Sequence, residues 1–166
     1  MPMLIKLRDA GHELVEDMFT SVADDQEIPQ GDVIISLGRF QAEGDRLLSE
    51  GRKVGVRLES HEAVEALAYD LPRLAVVALA FPKFGDGRAY TGARLLRERF
   101  AFKSEVRAVG DVLREQAAFM VRCGFDAFEP ADGSTPEQWT AAAERYRHVY
   151  QRSVDGRRPA FAERQE

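Results

Sequence analysis

Short apolar runs alternate with amphipathic stretches along this chain, and that alternation sets the expected fold. Val33–Leu37 is an apolar run, and Phe40, Leu47 and Leu48 stand among charges behind it. Between Lys53 and Glu59, Val54, Val56 and Leu58 alternate with Gly55, Arg57 and Glu59, a period of two that predicts a strand. Ser60 is placed to cap a following helix, with Glu62 in its first turn, Val64, Leu67 and Ala68 at helical spacing, and Pro72 at its end. The next run, Leu74–Phe81, has no alternation and suits a parallel strand covered on both faces. A glycine-bearing turn, PKFGDGR, and a helical stretch, AYTGARLLRERF, follow it. Glu105–Gly110 predicts a fourth strand, with Asp111 placed to cap a helix reaching Arg122 and Gly124 just past its end. Phe125–Glu129 predicts a fifth strand. Thr135-Pro136-Glu137-Gln138 is a capping box with proline at the first helical position, so a helix is expected to about Tyr150.

Ahead of these units, Leu4–Leu7 and Leu14–Phe19 flank Asp9-Ala10-Gly11-His12 and predict a hairpin, although Glu16 and Asp17 interrupt its second run. An acidic connection follows, through Asp24, Asp25, Pro29 and Gly31 to Asp32. The fold class is therefore α/β: five βα-type units forming a mostly parallel sheet with flanking helices, preceded by a short hairpin. Five units are too few for a full eight-stranded barrel, which favours an open sheet over a partial TIM-like barrel. The expected organisation is an N-terminal hairpin and connection over 1–31, one α/β domain over 32–150, and a flexible tail over 151–166.

At 166 residues the chain can bury a core without disulfides or metals. Its formal net charge of -5 speaks against nucleic acid as a partner. The single cysteine, Cys123, allows neither an internal disulfide nor a cysteine-built zinc site, and a buried, inert thiol is expected there. The start, MPMLIKLRDAG, has no long apolar segment, so no signal peptide or membrane span is expected and the cytoplasm is the default location.

Candidate chemistry centres on the turn after the third strand, which in open parallel sheets lies on the ligand-binding edge. Lys83 and Arg88, with backbone N–H groups at a helix start, suit an anion, and Asp86 sits between them. The spacing matches neither GxGxxG nor the Walker pattern. Arg57 and Arg107 each fall inside a predicted strand, which implies either pairing at a cavity or an edge position. Tyr90, Arg94 and Arg97 are spaced by four and three and share a helix face. Asp111, at the end of the fourth strand, is a candidate acid/base as well as a cap. His12, His61 and His148 lack ligand spacing, and no nucleophile elbow or HExxH motif is present. Trp139 is expected to pack the last helix onto the sheet.

FPKFGDGRAYTGARLLRERF, EVRAVGDVLREQ and RCGFDAFE together resemble a bacterial family classed as domain of unknown function 934, over about Val33 to Glu129, with VGVRL at Val54–Leu58 also fitting. Gly85 and Gly92 depart from the family, which more often has a small polar residue at the first and serine at the second. Members are usually encoded beside sulfite reductase and the reductase for activated sulfate, and are loosely described as oxidoreductases of sulfite reduction. The resemblance implies a place in sulfate assimilation. One cysteine cannot hold an iron–sulfur cluster, and no dinucleotide fingerprint is visible, so the chain is read as carrying no redox centre of its own. The leading expectation is an accessory protein that binds an anion or a partner enzyme (sulfite reductase or activated-sulfate reductase) through residues 82–97. The alternative is an enzyme with Asp111 as acid/base and Arg57, Lys83 and Arg107 orienting an anionic substrate. Flavin binding without a recognisable motif is a third possibility.

Overall fold

The computed structural model describes residues 3–164. Residues 1–2 and 165–166, the outer ends of the expected hairpin and tail segments, lie outside the described residues. Eight strands form one mixed sheet: β1 (Met3–Arg8), β2 (Gly11–Glu16), β3 (Phe19–Ser21), β4 (Asp32–Ser36), β5 (Val54–Leu58), β6 (Val76–Phe81), β7 (Glu105–Gly110) and β8 (Ala127–Phe128). Their spatial order is β2-β1-β8-β7-β6-β5-β4-β3. Neighbours from β3 through β8 pair in parallel, whereas β1 runs antiparallel to both β2 and β8. The hairpin is thus an integral part of the sheet and not a separate feature, and β3 adds a short parallel strand that the sequence pattern did not announce.

The sheet is open, with no pairing between β2 and β3 at its two edges. It is also strongly curled. Only Asp17 and Met18 separate β2 from β3 in the chain, which holds the two edges within about 11 Å of each other. Parallel strands that follow one another in space with right-handed crossovers put every helix on the same face. The outer face carries α1 (Leu37–Ser49), α2 (Arg88–Glu98), α3 (Ala117–Cys123) and α4 (Pro136–Ala143), and a short α5 (Ala160–Glu163) lies near the chain end.

Two apolar layers result. The larger lies between sheet and helices, and contains Val33, Val56, Val77, Leu79, Phe81, Leu96, Met120 and Trp139. The smaller lines the inner face of the curl: Ile34, Val76, Ala78, Ala80 and Val109, with Phe19 packed on them. This is why Val76–Phe81 is apolar throughout: its alternate residues are buried on opposite sides, and the inward ones include two alanines because the curl leaves little room.

Local chemistry sets the helix ends. Ser36 Oγ caps α1 by accepting from the Arg39 amide at 3.2 Å. The expected helix after Ser60 is replaced by two 3-10 turns, Val64–Leu67 and Leu71–Arg73. Ser60 accepts from the Arg88 guanidinium at 2.8 Å, and Glu62 accepts the Glu59 amide at 2.8 Å, in a local turn that no α-helix directly follows. Asp111 does not cap α3. A 3-10 turn at Arg114–Gln116 precedes that helix, and Gln116 Oε1 accepts the Leu113 amide at 3.2 Å. Gly124 ends α3 in the left-handed conformation, φ 105°, as its position implies. The Thr135 capping box forms, with Gln138 N–H donating to Thr135 Oγ1 at 3.3 Å and Thr135 N–H to Gln138 Oε1 at 3.0 Å.

Helix α4 stops at Ala143, short of Tyr150. Beyond it, Arg157 donates to the carbonyls of Tyr146 (2.9 Å) and Arg147 (2.8 Å), and Val149 bridges Pro159. The segment expected as a flexible tail is tied to the body: Ser153 Oγ donates to the Arg122 carbonyl at 2.7 Å, and Arg122 pairs with Asp155 at 3.1 Å. Among the described residues no helix is long and apolar enough to cross a membrane.

Candidate functional site

The turn between β6 and α2 sits on the carboxyl edge of the parallel strands, where such sheets place ligands. It is a braced turn. Asp86 N–H donates to the Lys83 carbonyl at 2.9 Å, Phe84 N–H to Asp111 Oδ2 at 2.7 Å, and Gln116 Nε2 to the Phe84 carbonyl at 3.4 Å. Asp111 therefore anchors this loop from the end of β7. Gly110 makes the contact possible: it adopts φ 92°, and a Cβ there would stand 2.4 Å from the Phe81 carbonyl oxygen. Lys83 and Phe84 are exposed at the tip, and Lys83 has no ion pair with the described residues.

Asp86 occupies the place an external anion would take at the start of α2. Its carboxylate receives Arg88 Nε at 3.0 Å and the Arg88 terminal nitrogen at 2.6 Å, with the Arg88 amide at 3.3 Å. The guanidinium holds the Asp86 carboxyl far below the usual carboxylate range. Arg88 is thus spoken for by Asp86 and Ser60. Behind that pair a hollow of about 140 Å³ lies between the 58–65 segment and α2, lined largely by Leu58, Val64, Leu79, Ala89 and Leu95. Gly92 borders it, and a Cβ at that position would sit 3.2 Å from Val64 Cγ1.

Arg57 and Arg107 lie on the two strands that flank β6, and the register aligns both with Ala78. Neither strand is an edge. Their guanidiniums point to the inner, helix-free face, which explains how interior strands accommodate charge. Their fates differ. The Arg57 side chain is 46% exposed and pairs with Glu59 at 2.8 Å, whereas that of Arg107 is fully buried. Arg107 donates to Asp17 at 2.6 and 3.0 Å, to Glu105 at 2.7 Å and to Glu129 at 2.9 Å, and Lys6 reaches Glu105 at 2.6 Å. Burial by itself would lower the Arg107 pKa; Asp17 and Glu105 more than offset it and hold the guanidinium charged. The sequence singles out Arg107 as either paired at a cavity or at an edge, but not its partners Asp17, Glu105 and Glu129; the break that Glu16 and Asp17 make in an otherwise apolar run is the one sign of them.

The helix face Tyr90–Arg94–Arg97 does not form a single site. Tyr90 is half-buried, its ring 5.1 Å from Phe81 and 4.6 Å from Phe119, and burial pushes its hydroxyl up to about 12. Arg94 pairs along the helix with Glu98 at 3.3 Å. Arg97 lies at the opposite, amino end of the sheet. There it donates to the carbonyls of Gly124 (3.0 Å), Phe102 (2.7 Å) and Ser104 (2.7 Å), and pairs with Asp126 at 3.1 Å. It staples the chain entering β7 to the end of α3. The carboxyl edge thus gathers Lys83, Asp86, Arg88 and Asp111, with Arg57 on the inner face nearby; Arg94, Arg97 and Arg107 are engaged elsewhere.

Cys123 is buried, and burial pushes its thiol up to about 11. Trp139 is fully buried with its ring 4.9 Å from Phe128, packing α4 on β8. Among the described residues no group of three or more His, Cys, Asp or Glu is arranged to hold a metal ion.

These features define an α/β protein built on a single curled sheet, with a braced loop at the carboxyl edge. Residues 55–161 match the family described as "Bacterial protein of unknown function (DUF934)", and the chain belongs to that family. The match starts inside β5 and runs through α4 to the chain-end segment, so it includes the region after Glu129. No curated protein matches the chain.

Proposed function

We propose that this protein is an accessory protein of sulfite or sulfate reduction that docks on a partner enzyme, sulfite reductase or activated-sulfate reductase, through the 82–88 loop and the start of α2. The pathway rests on the family resemblance alone. The docking mode rests on one observation: Lys83 and the largely exposed Phe84 project from a loop that Asp111 and Gln116 hold in place. An apolar ring and a cation on a pre-ordered loop suit a protein partner, because little ordering entropy is lost on binding. Capture of a small anion has less support, since Arg88 and Arg57 already carry carboxylate partners. The catalytic alternative has less again: Asp111 is engaged with the Phe84 amide, and Arg107 is enclosed by three carboxylates.

Immobilised wild-type protein is expected to retain purified sulfite reductase or activated-sulfate reductase, and the Lys83→Ala/Phe84→Ala/Arg88→Ala variant to lose most of it. Equal recovery on both, or none on either, overturns the reading.

A further inference from the structure

Charge is unevenly distributed along this chain. Although the whole carries -5, residues 145–158 hold five arginines, Arg145, Arg147, Arg152, Arg157 and Arg158, against one carboxylate, Asp155. Aromatic residues accompany them: Tyr146 is 59% exposed and Tyr150 is 89% exposed, and Phe119 on neighbouring α3 is 57% exposed. Arg145, Arg147 and Arg152 are exposed and have no ion pair with the described residues.

Shape accompanies charge. A hollow of about 250 Å³ lies against Phe119, Val149 and Tyr150. A second, of about 430 Å³, lies between α3, the β1–β2 hairpin and Arg147; Asp9 and Glu144 also line it, as does Asp155, which is taken up by Arg122. The two share Ala118, Arg122, Tyr146 and Arg157, so they form one trough along the outer side of α3. The wall opposite α3 is held by the Arg157, Ser153 and Arg122 bonds described above and by the buried Val149. Exposed aromatics on a braced wall, with Arg147 beside them free of any ion pair with the described residues, have the composition of an interface core and its rim.

We propose that this trough docks an acidic segment of a partner protein, with an apolar side chain seated between Phe119 and Tyr150 and carboxylates facing Arg147 in its lining and Arg152, outside the lining but two residues beyond Tyr150. Charge complementarity selects the occupant. Arg147 and Arg152 lack carboxylates of their own among the described residues, and an acidic segment supplies them while being steered to a basic patch of an acidic protein. Nucleic acid offers the same charge, yet the overall acidity of the chain repels a long polyanion and an apolar hollow has no use for phosphate. The trough is distinct from the Lys83–Arg88 loop, so the two surfaces are separable by mutation.

A random peptide library displayed on phage, selected on the intact protein, tests this directly. Recovered peptides are expected to combine Asp or Glu with an aromatic or large aliphatic residue. Synthetic copies followed by fluorescence anisotropy should lose at least ~10-fold in affinity with Arg147→Glu/Arg152→Glu, and similarly with Tyr150→Ala. They should keep their affinity with Lys83→Ala/Phe84→Ala/Arg88→Ala, whatever that variant does to enzyme capture. Because all the substituted side chains are exposed, unchanged thermal melts accompany the expected result. The proposal is overturned if selection yields no peptides, or only neutral or basic ones. It is equally overturned if the charge-reversed variant binds as well as wild type, or if a single-stranded oligonucleotide displaces the peptides and binds more tightly.

Discussion

Arg107 grips the carboxylate of Asp17 with two N–H donors, at 2.6 and 3.0 Å, inside the curl of the sheet. The pair ties an interior strand to the two-residue link that brings the sheet's far edges together, across ninety residues of sequence. Paired, hydrogen-bonded charges are tolerated in such a place; an orphaned one is not. Arg107→Met leaves Asp17 without its cation, while Glu105 keeps only Lys6, and is expected to cost about 3–5 kcal/mol. Asp17→Asn leaves Arg107 its other two carboxylates and is expected to cost less, about 1.5–3 kcal/mol. Urea denaturation of the two variants checks both the magnitudes and their order.

Asp111 holds the β6–α2 loop through the Phe84 amide at 2.7 Å. Asp111→Ala removes that acceptor at the cost of about 1 kcal/mol of stability, most of it local. Amide exchange at Phe84 and Asp86 should accelerate while exchange in β6 and β7 stays unchanged. Uniform acceleration across the sheet would show that the residue supports the core and not the loop.

His12 is held against Thr140: its backbone N–H donates to Thr140 Oγ1 at 3.0 Å, and ring Nδ1 lies 3.2 Å from the same oxygen. Nε2 is buried without a hydrogen-bond partner among the described residues, so a proton there is poorly solvated. Burial lowers the His12 pKa from 6.5 to about 4. The unfolded chain therefore binds this proton more readily, and stability is lost as pH falls from about 6.5 through about 4. The expected loss is about 2 kcal/mol, less than full linkage would give because the ring is partly exposed. His12→Gln should flatten that part of the pH profile in thermal melts, and a wild-type slope that survives the substitution refutes the assignment.

Cys123 faces the core from the last turn of α3, with its thiol pushed up to about 11 by burial. A thiol that is both protonated and inaccessible reacts slowly. At pH 8 the native protein should be nearly inert to a disulfide reagent and should release one equivalent of thiol on unfolding in urea. Rapid labelling of the native chain would place the thiol at the surface.

What the sequence determined by itself was local. The period of two in Val54–Leu58, the doubly buried run Val76–Phe81, the Thr135 capping box and the Gly124 terminator all depend on residues within a turn or two of one another, and each is present in the fold. The loop at Lys83–Arg88 was legible for the same reason, as strand, glycine turn and helix in succession. The helix expected after Ser60 gave way to two 3-10 turns, and there Ser60 instead meets Arg88, twenty-eight residues away. No local pattern could tell that Arg57 stays half in water while Arg107, on the same inner face, is sealed in by Asp17. Only the closing of the curl, which brings β2 and β3 near each other, puts a carboxylate over one arginine and leaves the other open. Burial and charge pairing are properties of which strands become neighbours, and that neighbourhood exists only in the folded chain.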